Sequence, residues 1–585
     1  MNRAVCLKIG GIIVCILLLN VVWFHYVRSE HTIYSWDYDG YWAICGKFER
    51  TCATAPVQFV RDVLESIRND EYTAEPVVPA AIAISLGEKL HLFSFSRASY
   101  VMANGNFYLV PALLLLIWLV SGLRSSRFSP GVDAIPPSAW LAGALLALLT
   151  PALWLPLYRG YPDGGGLVFC FLITALFVRW RQQRRRALDH LLTWSAIVIL
   201  LVGLVFFRRW YLYWIIWFWI ASGLVCLWDA WEEWRRGSRA WGMLRNTAEL
   251  CGGALAFGAL VFMVSPHFVR ELVSYNYADR YSVFHVSKSF GQFLASTFSA
   301  PGVVGILLFV GGLAYGFFKR DLRKFAVFQI VQLAGVVIHF GRTQDFGPHH
   351  HYLLLALMLP LATLFVAELL RSFGWIVAAC LFPIGVLGYT LSFTSLLHGA
   401  PRVLLPLTGA VDGAPLRRGD IAEWRRLGAT LDEILRSRGQ GTIYVLGNSQ
   451  MINSSDLLSV GRSLNEGFIA PKFVYFSGDI DKRDGFPVDL LRARYVVVAD
   501  PVQVQFDPAE QQIVAAPERE FLEGSGIAGA FEKLPCQFLL DGGVKVYIYQ
   551  KTRQISSQEL QQLCDELRRA HPDRPYIYKP PAGVM

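Results

Sequence analysis

The sequence predicts a mostly α-helical membrane protein of about eleven to thirteen spans that ends in a smaller α/β domain. Three observations lead there. Of its 585 residues, 54% are hydrophobic and only 17% charged, whereas about a quarter of a soluble domain is charged, so no single water-surrounded core can cover the apolar surface. Apolar runs long enough to cross about 30 Å of hydrocarbon recur near 5–24, 99–120, 138–157, 164–180, 190–207, 210–228, 247–265, 302–318, 325–341, 352–370 and 374–396. Beyond about residue 400 these runs stop, and short amphipathic and alternating segments replace them.

The first run, from Val5 to Phe24, has no small-x-small cleavage pattern after it and reads as an uncleaved first helix. Between later runs lie basic clusters: Arg124 and Arg127; Arg179, Arg181 and Arg184–Arg186; Arg235, Arg236, Arg239 and Arg245; Lys319, Arg320, Arg323 and Lys324. With the N-terminus inside, every one of them falls on the cytoplasmic side, as the positive-inside rule asks. The net charge of +9 is thereby accounted for by topology, and nucleic acid is not an expected partner. An odd number of spans places the long loop 25–97, the loop 265–300 and everything after 400 on the extracytoplasmic face of the inner (plasma) membrane. The domain division expected is 1–400 for the membrane part and 401–585 for the outer α/β domain.

In loop 25–97, residues 59–67 have helical apolar spacing suited to an interfacial helix. The stretch 78–95 is marginally apolar. In the C-terminal part, 419–435 reads as an amphipathic helix, 442–446 and 544–549 as strands, 490–500 as a short helix end running into a buried strand, and 575–583 as an extended or mobile tail. No complete phosphate-binding glycine fingerprint follows these strands. Of ten cysteines, Cys45, Cys52, Cys536 and Cys564 lie in polar segments. Cys45 with Cys52 is the expected disulfide, and Cys536 with Cys564 the second choice.

Chemistry-bearing residues gather at the outer ends of the runs. His31–Trp42 sets Asp37 and Asp39 among aromatics directly after the first span; Glu75 precedes a proline turn; Asp163 is followed by Gly164–Gly166. Further on come Arg208 and Arg209, then Arg342, Gln344, the His349–His351 run and Tyr352. Charges near membrane depth are costly and mark a cavity or a partner. Arg208 and Arg209 suit either phosphate binding or interfacial anchoring with Trp210 and Tyr211. Asp39, Glu75 and Asp163 are the residues able to hold a divalent metal cation, whose hard charge wants several carboxylate oxygens; no other cofactor is indicated. Three consecutive histidines on a helix point in different directions, so one of them, His350, is expected to line the cavity. The glycine run fits close backbone approach to a ligand or a flexible turn.

Asp37-Tyr38-Asp39-Gly40-Tyr41 just after the first span, Glu75-Pro76-Val77-Val78-Pro79 and His350-His351-Tyr352-Leu353-Leu354 together resemble motifs of the GT-C superfamily of polytopic glycosyltransferases, in particular the protein O-mannosyltransferase and aminoarabinose-transferase branch (family 39-like). Tyr38 stands where that family's acidic motif has Glu, so Asp37 and Asp39 both remain candidates for its key position. The resemblance implies a GT-C-type bundle that moves a sugar, with inversion, from a polyprenyl-phosphate donor to a glycan, lipid or protein acceptor. Asp37 and Asp39 would then be catalytic, while Glu75, Asp163, Arg208, Arg209, Arg342, Gln344, His350 and Tyr352 bind substrate. The alternative is a transporter or flippase for a polar or lipid-linked substrate, which also places charges in a cavity. Topology is tested by reporter fusions: one after Arg185 is expected to report the cytoplasm and one at the C-terminus the outside, and two cytoplasmic readings would remove the outer-face assignment.

Overall fold

The computed structural model describes residues 3–70, 72–125, 135–182, 187–237, 241–399, 401 and 403–580. Arg127, Arg184–Arg186 and Arg239 of the basic clusters, and the tail beyond residue 580, lie outside the described residues. Two compact units form. One comprises Met1–Ser29, Tyr41–Tyr275 and Ser287–Pro415; the other comprises Glu30–Gly40, Asn276–Val286 and Leu416–Met585. The boundary thus falls at 415/416 rather than 400/401. Two stretches expected to belong to the membrane part are instead claimed by the C-terminal unit.

The first unit is helical. Among the described residues nine helices are long and apolar enough to cross a membrane, and eleven if two sharply bent pairs, Pro137–Leu148 with Pro151–Tyr158 and Phe290–Ser299 with Gly302–Phe318, each make one span. These are the eleven runs read from the sequence. Prolines at 151 and 156 and the positive-φ Gly302 account for the breaks. Val78–Lys89 is helical but has only 12 residues, too few to span.

The first span is α1 (Arg3–Arg28), followed by α2 (Asp37–Thr54) and α3 (Pro56–Asn69). Asp37 and Asp39 occupy the first turn of α2, where carboxylates complement the positive end of the helix dipole. Pro56 begins α3, whose Phe59 and Ser66 face inward while Val57, Val60 and Leu64 are exposed, the face an interfacial helix shows to lipid. The spans used below are α4 (Gly165–Gln182), α5 (Leu212–Arg235), α7 (Arg323–Gly341) and α8 (His351–Phe373), and α6 (Pro266–Ser274) is a short amphipathic helix between α5 and α7. α8 is the most enclosed span, apolar on every side.

At one end of this unit Arg181 of α4 donates twice to Asp229 of α5, at 2.9 Å each. Lys324 of α7 binds the same aspartate and Glu232, the latter at 2.9 Å. Two basic clusters separated in sequence therefore meet on the acidic residues of α5 at one end of the bundle. Asp163, Arg208, Tyr211 and Arg342 begin or end the same helices at the opposite end, about 27 Å away for an 18-residue helix.

The second unit carries a four-stranded sheet in the order β1-β2-β4-β3: β1 (Ile443–Leu446), β2 (Tyr495–Asp500), β3 (Phe531–Leu539) and β4 (Lys545–Lys551). β1 and β2 are parallel, and the other pairs antiparallel. Both faces are covered, which is why β2 reads as an unbroken Val run. On one face lie α9 (Ile421–Ser437) and α10 (Ser454–Ser463); on the other lie α11 (Gln512–Glu523) and α12 (Ser557–Ala570). β3 was not expected from the sequence: its register shifts between Lys533 and Gln537, around Pro535, a residue an edge strand tolerates only at such an irregularity. The segment expected to be a mobile tail instead forms a short helix, Pro575–Tyr578, with Ile577 packed into the core of the α11–α12 face.

The expected disulfides are absent, and Cys45, Cys52, Cys536 and Cys564 are all free thiols. Cys45 and Cys52 sit seven residues apart on the continuous α2, so their Cα atoms are about 10 Å apart, beyond the roughly 7 Å a disulfide can bridge. Cys536 and Cys564 belong to cores on opposite faces of the sheet. Burial pushes the Cys45 thiol well up, with Glu49 adding to the effect. In the native chain a maleimide is expected to label Cys52 and spare Cys45; without reductant, denaturation should expose both thiols. A mass corresponding to a linked Cys45–Cys52 peptide would contradict this.

Candidate functional site

Within the helical unit the site is built around Arg208, which stands between the helix ending at Phe207 and the short turn Arg209–Tyr211 leading into α5. Its backbone is extended there, which swings the side chain away from its neighbour's. Arg208 is 7% exposed and Asp163 is fully buried, and Arg208 Nε donates to Asp163 Oδ1 at 2.7 Å. Arg208 Nη1 also donates to the phenol oxygen of Tyr41, in the second turn of α2. The guanidinium lies 4.9 Å from the Tyr41 ring centroid and 5.7 Å from that of Tyr72. Asp163 is fixed from its other side, because the Tyr211 hydroxyl donates to its backbone carbonyl at 3.0 Å.

Arg209 has a different environment. It donates to Glu271 of α6 at 2.9 Å and to the Asp70 carbonyl at 2.8 Å, and lies 5.0 Å from the centre of the Phe268 ring. Of the two readings open for this pair, anchoring describes Arg209, and the buried ion site describes Arg208. Arg342 is exposed at the end of α7. Gln344 approaches the His350 ring at 3.4 Å.

The histidine run closes a ring of aromatics. His349 stacks on Tyr161 with centroids 4.6 Å apart, and Trp210 lies 5.3 Å from His350 and 6.1 Å from His349. The Gly347 N–H donates to His350 Nδ1 at 3.1 Å, which assigns the proton to Nε2. Burial, and after it the charges of the neighbouring imidazoles and Arg208, hold both rings well below the ordinary histidine range; both are neutral. Tyr352 is buried and donates to the Leu153 carbonyl at 2.8 Å. Two glycines of the run are required by packing: a Cβ on Gly165 would stand 2.4 Å from the Phe207 ring, and one on Gly166 2.0 Å from the Tyr211 ring. Bare backbone there lets those rings pack beside Asp163.

Glu75 opens a short turn before Val78–Lys89. Tyr108 donates to the carbonyl of the next residue, Pro76, at 2.7 Å, and a Cβ on Gly203 would come within 3.8 Å of Glu75 Oε1. Burial raises the Glu75 carboxyl to about 8, so it is protonated at neutral pH.

Asp37 and Asp39 begin α2 in the segment that belongs to the second unit. Asp37 is partly exposed. Asp39 is buried, and Arg462 of α10 grips it with two donors, Nε to Oδ1 at 2.9 Å and Nη2 to Oδ2. No sequence signal pointed to Arg462, which lies 423 positions away. The expected metal set is not assembled: among the described residues no three His, Cys, Asp or Glu side chains come within reach of one ion. Asp39 answers Arg462 and Asp163 answers Arg208, while Glu75 holds a proton rather than the negative charge a hard cation needs.

No family model and no curated protein sequence matches the chain. A solved structure similar to it is that of ArnT from Cupriavidus metallidurans bound to undecaprenyl phosphate, 13% identical, covering 94% of this chain and 99% of that one, with a TM-score of 0.49.

The state of Glu75 gives a measurable pH dependence. A carboxyl whose pKa is raised on folding binds a proton in the folded chain that the unfolded chain releases, so stability falls as pH rises from about 4.5 toward about 8 and levels off above. Glu75→Gln, which keeps the neutral shape, should be increasingly more heat-stable than the parent across that window in detergent. An equal offset at pH 5 and pH 8.5 would show that Glu75 does not titrate there.

Proposed function

We propose that the protein is an inverting glycosyltransferase of GT-C type that moves a sugar from a polyprenyl-phosphate donor to a hydroxyl of a glycan, lipid or protein acceptor on the extracytoplasmic face of the membrane. One observation carries the reading: a buried guanidinium, Arg208, held ready by a buried carboxylate and two tyrosine rings at the end of the bundle remote from its basic clusters. A permanently charged fork matches the oxygens of a leaving phosphate. Asp163 neutralises Arg208 in the resting protein and keeps it aimed. As the bond from the anomeric carbon to the phosphate oxygen breaks, negative charge develops on that oxygen, and a fixed cation in an apolar surrounding stabilises it far more than water would.

The acceptor hydroxyl needs a base. Both oxygens of Asp39 are engaged by Arg462, and a carboxylate so paired is a poor proton acceptor. Asp37, which follows the first span at the place the family resemblance points to, is assigned the role: it takes the hydroxyl proton as the acceptor oxygen bonds to the anomeric carbon, a contribution of about 10²–10⁴-fold. Neutral His349 and His350, with Tyr161 and Trp210, offer the stacking and hydrogen-bonding surface a sugar ring requires. Protonated Glu75 is suited to donate a hydrogen bond without adding charge. The transporter reading draws no comparable support, because its polar groups would need to line a path through the membrane, and those described here lie at span ends.

Transfer from synthetic undecaprenyl-phosphate hexoses and pentoses by purified variants in detergent tests the assignment. Asp37→Asn should abolish turnover while donor binding persists. Arg208→Ala should weaken donor binding or the chemical step by about 1.5–3 kcal/mol, the value of a charged hydrogen bond. Normal turnover in Asp37→Asn would move the base elsewhere.

A further inference from the structure

Glu30–Gly40, the segment that delivers Asp37 and Asp39 into α2, is held by the C-terminal unit along its whole length. At its start, the His31 N–H donates to the Leu416 carbonyl at 2.9 Å and the Arg418 N–H to the His31 carbonyl at 2.8 Å, a parallel bridge. Ile33 then inserts into the core formed by Trp424, Leu427 and Val460. Next the segment crosses α10. Ser455, Ser459 and Ser463 recur every four residues, which places them on one face of that helix, and each of them meets the segment's backbone. The Tyr34 N–H donates to Ser463 Oγ at 3.1 Å, Ser459 Oγ donates to the Tyr34 carbonyl, and the Trp36 N–H donates to Ser455 Oγ at 2.7 Å. Trp36 itself takes a positive φ of 48°, unusual for a bulky residue and sustained only where the surroundings fix it. After this bend the N–H groups of Tyr38, Asp39 and Gly40 turn back onto the carbonyls of Ser35 and Trp36, and the Arg462 fork closes on Asp39.

We propose that Arg462 is a positioning residue, and that α10 acts as a cradle setting where α2 begins and hence where the Asp37 carboxylate stands; this rests on the reading of Asp37 as the base. In this arrangement Asp39 serves as the handle by which α10 holds the acidic turn. A guanidinium fits the task because its planar fork fixes a carboxylate in orientation as well as in distance. Lysine would keep the charge and lose the second contact.

Hydrogen–deuterium exchange of the full-length chain in detergent, read together with transfer kinetics, tests the proposal. In Arg462→Ala the amides of residues 34–40 should exchange at least tenfold faster than in the parent while β2 is unchanged, which shows that the domain is still folded. kcat should fall by about 10²-fold, the scale expected for a reacting group displaced by about 1 Å, with KM within about threefold. Arg462→Lys should lie between, and serves in its place if the alanine variant does not fold. The exchanged pair, Asp39→Arg with Arg462→Asp, should recover both slow exchange and most of the turnover. Unchanged exchange in Arg462→Ala overturns the cradle. Slow exchange restored without turnover in the exchanged pair makes Asp39 itself a reacting group and overturns the positioning role. If the parent transfers no sugar from any undecaprenyl-phosphate donor, the glycosyltransferase reading fails, and the exchange data alone then decide the cradle.

Discussion

The buried pair of Arg208 and Asp163 is the constraint to which the surrounding helices conform. A guanidinium taken from water into an apolar bundle loses its hydration, and the loss is offset only if its donors are met and the opposing charge is close. The sequence around it meets these conditions in turn. The carboxylate is 2.7 Å away, a phenol accepts a second donor, and tyrosine rings face the delocalised charge. The glycines at 165 and 166 allow Phe207 and Tyr211 to close over Asp163 from the side, and the Tyr211 hydroxyl fixes its backbone. Removing one member of such a pair typically costs about 3–5 kcal/mol, because the other is left buried and uncompensated. The same arrangement that makes the pair costly to build holds a strong, already oriented cation, as the proposed phosphate leaving group requires.

Glu75 and the histidines solve the charge problem in the opposite way. With no cation to balance it, Glu75 retains its proton, and the imidazoles of His349 and His350 remain neutral because burial and Arg208 both oppose a second positive charge. Around Arg208 the helical unit thus sets a buried charged pair among neutral hydrogen-bonding groups. That combination suits a ligand with an anionic group and many hydroxyls.

The span pattern was legible in the sequence because hydrophobic length alone determines it: all eleven runs became helices, and the two that bend do so at proline or glycine. Strands β1, β2 and β4 were legible from their Val- and Tyr-rich patterns, whereas β3 was not, since Pro535 and its charged neighbours break the alternation an edge strand otherwise shows. Asp163 and Arg208 were named from position, yet their direct pairing was not visible 45 residues apart. Nor was the separation of Arg208 from Arg209, which depends on one extended residue between two helical turns. The misjudged disulfide has the same root, because Cys45 and Cys52 were treated as loop residues when α2 holds them two turns apart.

The least legible feature is also the one with most bearing on mechanism. An eleven-residue segment without apolar periodicity reads as a connector, and three serines with an arginine on a distant helix read as a solvated face. Neither pattern predicts the other. Yet ordering a connector costs conformational entropy of about 1–2 kcal/mol per residue, so a segment held at its bridge, at Ile33, at three serines and at a bidentate arginine is not held by chance contacts. On the proposed function, the consequence is a division of labour between carboxylates two residues apart in one helical turn. Asp39 faces a fork that fixes both its oxygens and so defines where the turn begins. Asp37, the proposed base, begins the same helix two residues before Asp39. A motif of two acidic residues can in this way combine a tether and a base, with the choice between them made by a residue 423 positions away.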